Sequence, residues 1–278
     1  MNSIRKATKE GSLISSVILT FRNPVNKGKV LVVLEGQDDV NMYEKVFSNT
    51  VTILGFLTSK AYFPAVFKAV NKLYPSRFMG ICDADFDNIY SVSPKFNNLF
   101  YTDGHDTEIL SLAIGCGEDM CNLYKTPIPQ EGVFDFACNS VKEISFIKWY
   151  NYDTGKGICF DNMHPDQYIQ NNGTIDMTSY WTKLKSHPAN VSIDFDEAKI
   201  AAFVSSKSKS IALDQITNGH DAYRYLYQYI RKTNKGIKKK DYKTLYTQSF
   251  NLEKFKNTQL FQNISTWAKS VGSPNLFK

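Results

Sequence analysis

The sequence predicts an α/β protein: a mostly parallel open sheet flanked by helices, followed by a mainly helical C-terminal region. Three observations point there. The run "VLVVLE" (30–35) is apolar at strand length, and "GQDDVNMYEKVF" behind it puts Val40, Tyr43, Val46 and Phe47 on one helical face. A second buried-strand run, "RFMGICDADFD", arrives only after an intervening helical segment, the spacing of parallel strands joined by crossovers. Residues 181–278 hold 17 Lys+Arg against 7 Asp+Glu and read as helices and polar loops.

Between these landmarks "TVTILGF" is a short β-rich segment. "KAYFPAVFKAVNKLY" is a helix opening near Pro64, with Val66, Val70 and Leu73 as its inner stripe. "NLFYTD" is a further strand, and "HDTEILSLAIG" a helix that stops at Gly115. Beyond the turn-rich "YKTPIPQEG", helices are expected in "SVKEISFIKWY", from about His220 to Arg231, and in "NLEKFKNTQLFQNISTWAKSV". The expected division is an α/β domain over 1–125 and a helix-rich basic region over 126–278.

A chain of 278 residues, 42% hydrophobic, can bury a sizeable core. No apolar run is long enough to span a bilayer, and "MNSIRKATKEG" lacks the apolar centre of a secretory signal, so neither a membrane nor an export route is expected. Five cysteines at irregular spacing suggest free thiols, Cys82 inside a strand among them, and hence a reduced, cytoplasmic protein. The net charge of +6 is unevenly spread, an acidic first part preceding the basic one, which suits a metal site beside a surface for polyanions.

Acidic residues recur where predicted strands end. Glu35 ends the first, Asp83 and Asp85 another, with Asp87 just beyond, and Asp103 a third, with Asp106 and Glu108 following. In a parallel sheet such ends share one edge, so carboxylates distant in sequence converge. Asp83 and Asp85 share a face if the extended backbone continues that far. Clustered carboxylates call for a cation, and oxygen ligands alone select Mg²⁺ or Mn²⁺. Plainer roles compete: Asp38 or Asp39 as cap of the helix after Gly36, Asp106 as N-cap of "TEILSL" with Glu108 favoured by the helix dipole, and Asp87 in a turn. Glu35 resists such an explanation, because a neutral residue is cheaper to bury there.

The order Glu-Gly-x-Asp-Asp, Asp-x-Asp-Phe-Asp, His-Asp-x-Glu, over about Lys29 to Gly115, resembles a Toprim catalytic domain, and more narrowly the Toprim-like proteins of the DUF4435 family. "ITNGHDAYRYL" is similar to that family's later Asn-Gly-(His/Lys)-Asp helix opening. The resemblance implies a Mg²⁺- or Mn²⁺-dependent nuclease with Glu35, Asp83 and Asp85 as catalytic residues. It implies metal ligation by Glu35, Asp39, Asp83 and Asp85, with Asp106 and Glu108 as the Asp-x-Glu that OLD-type Toprim nucleases add for a second ion. Several family members act in bacterial anti-phage defence beside an ABC-type ATPase. No P-loop occurs in this sequence, so such an ATPase would be a separate chain.

Nucleic acid is the expected partner, with Lys60, Arg224, Arg231, Lys232, Lys238, Lys239 and Lys240 as candidate contacts. The tyrosines at 223, 225, 227 and 229 cover more than one helix face, which suits either base stacking or a helix packed on two sides. His105, among the acids, suits a phosphate contact but is expected to orient or cap; His220 is expected to open a helix in a structural rather than a catalytic role. The alternatives are an inactive Toprim module that only binds, and an Asp-x-Asp, Mn²⁺-dependent glycosyltransferase, which leaves Glu35-Gly36 unexplained. A phosphotransferase needs its Asp-x-Asp near the first strand, whereas here another acidic strand end comes earlier.

Overall fold

A computed structural model describes residues 2–55, 59–208, 210–234 and 242–278. In chain order the first elements are α1 (Asn2–Arg22), β1 (Val30–Leu34), α2 (Gln37–Tyr43), β2 (Val51–Gly55), α3 (Phe63–Val70), β3 (Phe78–Cys82) and β4 (Leu99–Tyr101). Helices α4 (Thr107–Ala113), α5 (Cys116–Leu123), α6 (Val133–Ser140), α7 (Lys142–Thr154), α8 (Met177–Ser186) and α9 (Glu197–Lys207) follow. The last are α10 (Gly219–Thr233), α11 (Tyr242–Ser249), α12 (Leu252–Phe255) and α13 (Gln259–Ser270).

The chain forms two compact units. The first gathers Met1–Ala84, Ser93–Asp103 and Phe250–Lys278; the second holds Asp85–Val92 and Gly104–Ser249. The 125/126 boundary expected from the sequence falls within the second unit, between α5 and α6. The C-terminal segment belongs to the first unit because α13 packs on β4, with Trp267 edge-on to Phe100 at 6.3 Å.

In the first unit the four strands are all parallel, in the order β2-β1-β3-β4. β1 and β3 are central and buried along their whole length, which is why both read as continuous apolar runs rather than alternating ones. On one face Leu31, Val33, Phe78 and Cys82 meet Phe63, Val66, Phe67 and Val70 of α3 and Leu13, Val17 and Phe21 of α1. Around α2 and the C-terminal segment, aromatic residues pack together: Tyr43 is edge-on to Phe250 and Phe255, and Phe47 stacks on Phe277 at 5.2 Å.

The structure adds one element to the sequence reading and corrects two expectations. α1 lies outside the elements read from the sequence, since among its described side chains only the stripe at i, i+4, i+8 (Leu13, Val17, Phe21) is buried. Leu73 is 56% exposed, because α3 ends at Val70 and a turn carries Leu73 off the inner stripe. The single terminal helix is two, parted where Thr258 caps α13 by accepting from Phe261 N–H.

The second unit is helical and organised around α10, which packs on α4, α5, α6 and α11. Tyr223 stacks on Tyr246 at 4.4 Å and its hydroxyl lies 2.7 Å from that of Ser111. Tyr223, Tyr225 and Tyr227 are buried, so for these three the helix packed on two sides is the arrangement found. Among the described residues no helix is long and apolar enough to cross a membrane, and all five cysteines are free.

Gly55 sets how closely β2 approaches the turn after β1. A Cβ there would stand 2.4 Å from the Gly36 carbonyl oxygen and from a Val40 methyl. Gly55→Ala is therefore expected to destabilise the protein by about 1–3 kcal/mol; a urea midpoint equal to wild type would show that this turn can yield.

Candidate functional site

Reversal of strand order creates the candidate site. From β1 the chain crosses outward to β2, then returns past β1 to β3, so the direction of winding switches between β1 and β3. In open parallel sheets ligands bind beyond the strand carboxyl ends at such a switch. Register pairs Val33 with Gly80, so Glu35, two residues on, stands level with Cys82, and Asp83 follows directly. Both acids are half-buried.

Cys82 donates its thiol hydrogen to Glu35 Oε1 at 3.2 Å. Burial first, and the Glu35 carboxylate second, push the thiol pKa far above its ordinary value. In this arrangement the sulfur acts as a hydrogen-bond donor to Glu35. Sequence reading placed Cys82 correctly as a buried free thiol but missed its bond to Glu35, because pairing between strands sets it.

Lys60, expected to face phosphates, instead donates from Nζ to the Asp83 carbonyl at 2.8 Å and the Ala84 carbonyl at 2.7 Å, with the ammonium 4.5 Å from the Tyr101 ring centre. Ala84 N–H donates to Thr102 Oγ1 at 3.0 Å. The segment carrying Asp83 is thus pinned from two sides. Asp39, read as a ligand or a cap, accepts from Gly36 N–H at 3.1 Å, and Gly36 itself is the N-cap of α2. Asp103 closes β4 by accepting from the Gln259 and Leu260 amides at 2.6 and 2.7 Å, so it caps α13 across a long sequence separation.

The expectation that Asp83 and Asp85 share a strand face is not met. β3 ends at Cys82, and Asp85 has φ 51°, a left-handed conformation that interrupts the extended alternation. Asp85 opens the second unit, where its N–H donates to the His105 carbonyl at 2.7 Å.

Asp106 and Glu108 are both buried in the second unit. Asp106 Oδ1 accepts from Ile109 N–H at 2.9 Å, the N-cap of α4 read from the sequence. Its Oδ2 accepts from Gly219 N–H at 2.7 Å and lies 3.1 Å from His105 Nδ1. Glu108 Oε1 accepts from the Tyr246 hydroxyl at 3.2 Å and lies 3.5 Å from His220 Nδ1. Gly219 permits this: a Cβ would come within 2.3 Å of the Glu108 Cβ and 2.4 Å of Asp106 Oδ1. In "NGHD", Asn218 caps α10 and Asp221 pairs with Lys148 at 2.5 Å. The motif therefore joins α10 to α4 and α7.

The basic candidates are largely engaged. Arg224 lies 3.6 Å from Asp166, Arg231 sits over the Tyr227 ring at 5.7 Å, and Lys232 reaches two loop carbonyls at 3.3 Å. Lys238, Lys239 and Lys240 lie outside the described residues. Among the described residues, no group of three or more His, Cys, Asp and Glu side chains is gathered to hold an ion.

Burial would raise the Asp106 pKa, but the His105 imidazole and the Gly219 and Ile109 amides outweigh it and hold the carboxyl below its usual range. A depressed folded-state pKa contributes stability that is present above the unfolded value of about 3.9 and lost as pH falls through the folded one. Asp106→Asn turns one acceptor into a donor facing an N–H, so at neutral pH it is expected to cost about 1–3 kcal/mol. Its stability should also fall less steeply than wild type below about pH 4; parallel acid limbs in urea titrations would exclude this role.

Comparison with known proteins finds no family model and no curated protein that matches this chain.

Proposed function

We propose that the chain is a metal-dependent nuclease that hydrolyses phosphodiester bonds in DNA or RNA, with Glu35 and Asp83 as its central carboxylates. One observation carries the reading: two acids leave adjacent central strands at the point where the sheet reverses its winding. Packing does not call for a carboxylate at either position, and that is where open parallel sheets hold ligands.

The donor set fits Mg²⁺ or Mn²⁺. Both acids offer oxygen, the neighbouring thiol donates to Glu35 rather than facing away from it, and Mg²⁺ is commonly bound by one or two carboxylates together with water and substrate phosphate. When bound, the ion supplies charge neutralisation on the scissile phosphate and an acidified water. Asp83 would hold it, fixed in direction because Lys60 anchors the peptide on either side of Ala84. Glu35 would complete the shell or take the proton of the attacking water, its orientation set by the Cys82 thiol. Lys60 then acts through Asp83 rather than on the phosphate.

Asp85 enters the reading as the second acid of Asp-x-Asp through the resemblance, and so do Asp39, Asp106 and Glu108 as ligands. The hydrogen bonds of Asp39 and Asp106 support positioning roles for these two. The resemblance also supports placing the protein in bacterial anti-phage defence, as the effector of a separate ABC-type ATPase.

The test is Mg²⁺- or Mn²⁺-dependent cleavage of plasmid DNA, single-stranded DNA and tRNA by wild type, Glu35→Gln and Asp83→Asn. Wild type is expected to cut at least one substrate, chelator to stop it, and each variant to lose about 10²-fold or more with an unchanged circular-dichroism spectrum. Variants as active as wild type would remove Glu35 and Asp83 from the mechanism. A wild type that binds nucleic acid without cutting any of it would favour the inactive binding module.

A further inference from the structure

In the second unit a cleft of about 560 Å³ opens between α6, α10 and the loop 169–175. Its volume lies within the range of about 300–1,000 Å³ usual for small-molecule sites. One wall is aromatic: the Phe136 ring centre stands 4.8 Å from that of Tyr229 and 5.6 Å from that of Tyr225. Their hydroxyls are tied back, Tyr229 donating to the Pro127 carbonyl at 2.8 Å and Tyr225 to the Gly173 carbonyl at 2.5 Å. The rings are therefore held in place without freezing a flexible side chain on binding, and Phe136 and Tyr229 are only half-buried.

A tight hairpin, bonded to α10 through Tyr225 and Lys232, also lines the cleft. Ile169 pairs with Ile175, Gln170 N–H donates to the Thr174 carbonyl at 2.8 Å, and Gly173 takes φ +95° to close the turn. Asn172, which also lines the cleft, accepts at Oδ1 from the Thr174 amide and hydroxyl, which fixes its amide plane. Asn139 lines the cleft from α6, and Lys232 from α10, where carbonyls of the hairpin steady its ammonium. None of the described lining residues is acidic.

Flat rings, side-chain amides and one cation match the three parts of a nucleotide: the face of its base, the donor and acceptor edge, and the phosphate. We propose that this cleft binds one unstacked nucleotide, its base face on the Tyr229 ring and flanked by the Phe136 ring tilted 59° to it, its edge toward Asn139 and Asn172, and its phosphate toward Lys232. The site itself stands on the cleft. Only the source of the nucleotide, an unpaired position in a bound strand, rests on the nuclease reading.

The experiment uses the full chain carrying Glu35→Gln, so that no substrate is consumed, and measures binding of four ribonucleoside monophosphates. It also measures an RNA hairpin with an unpaired loop against its blunt stem duplex. Saturable binding of a monophosphate, or of the hairpin in preference to the duplex, is expected. Monophosphate binding alone assigns the cleft to a free nucleotide, and hairpin preference assigns it to a strand. Tyr229→Leu should weaken that binding about tenfold, and Tyr229→Phe by less than about twofold, since the ring is what stacks. Lys232→Gln should lower the slope of log affinity against log salt by about 0.7 for the hairpin.

Absence of both kinds of binding, or equal binding by Tyr229→Leu of unchanged melting temperature, overturns the proposal. Wild-type cleavage assayed in parallel separates the two readings. Tyr229-dependent binding without cleavage removes the nuclease alone, and cleavage without Tyr229-dependent binding removes the cleft alone.

Discussion

Parallel pairing is the constraint from which the first unit follows. Parallel strands cannot be joined by a tight turn, so each connection must travel back across the sheet before the next strand begins. Those crossings cover the sheet with helices, which is why β1 and β3 are apolar along their whole length. They also deliver every strand's carboxyl end to a single edge. Whatever side chains follow the strands must then be accommodated there together, and in this chain three of the four strands are followed closely by an acid.

Those acids meet different fates, decided by which donors stand nearby. Asp103 finds two free amides at the start of α13 and becomes a long-range cap. Asp39 turns back on its own helix. Glu35 receives a thiol and stands beside Asp83, whose backbone is clamped by Lys60. A carboxylate holding two N–H groups at a helix start is anchored by them; the proposed chemistry rests instead on the pair at the β1/β3 switch.

The second unit shows the same logic around a different acid. Asp106 begins as a local cap and, by also accepting from Gly219, fixes where α10 starts against α4. This junction works only because residue 219 has no side chain. The resulting position of α10 orders the tyrosines inward and leaves the Phe136–Tyr229 wall half-open to one side.

Local patterning was enough to determine the alternating α/β class, the four strands, the cap at Asp106, the start of α10 and the acids at strand ends. Each of these depends on residues within a few positions of one another, through apolar periodicity or a capping side chain. What lay beyond reach depends on pairing across long separations: strand order, the bond from Cys82 to Glu35, the grip of Lys60 on the Asp83–Ala84 segment, and α13 returning to β4. The turn at Asp85 escaped for a related reason, since an Asp-x-Asp reads equally as strand or turn until the His105 carbonyl claims its amide. Sequence alone thus determined which residues could form a site. Tertiary structure decided which of them are committed to holding helices, because only there does each carboxylate meet its donors.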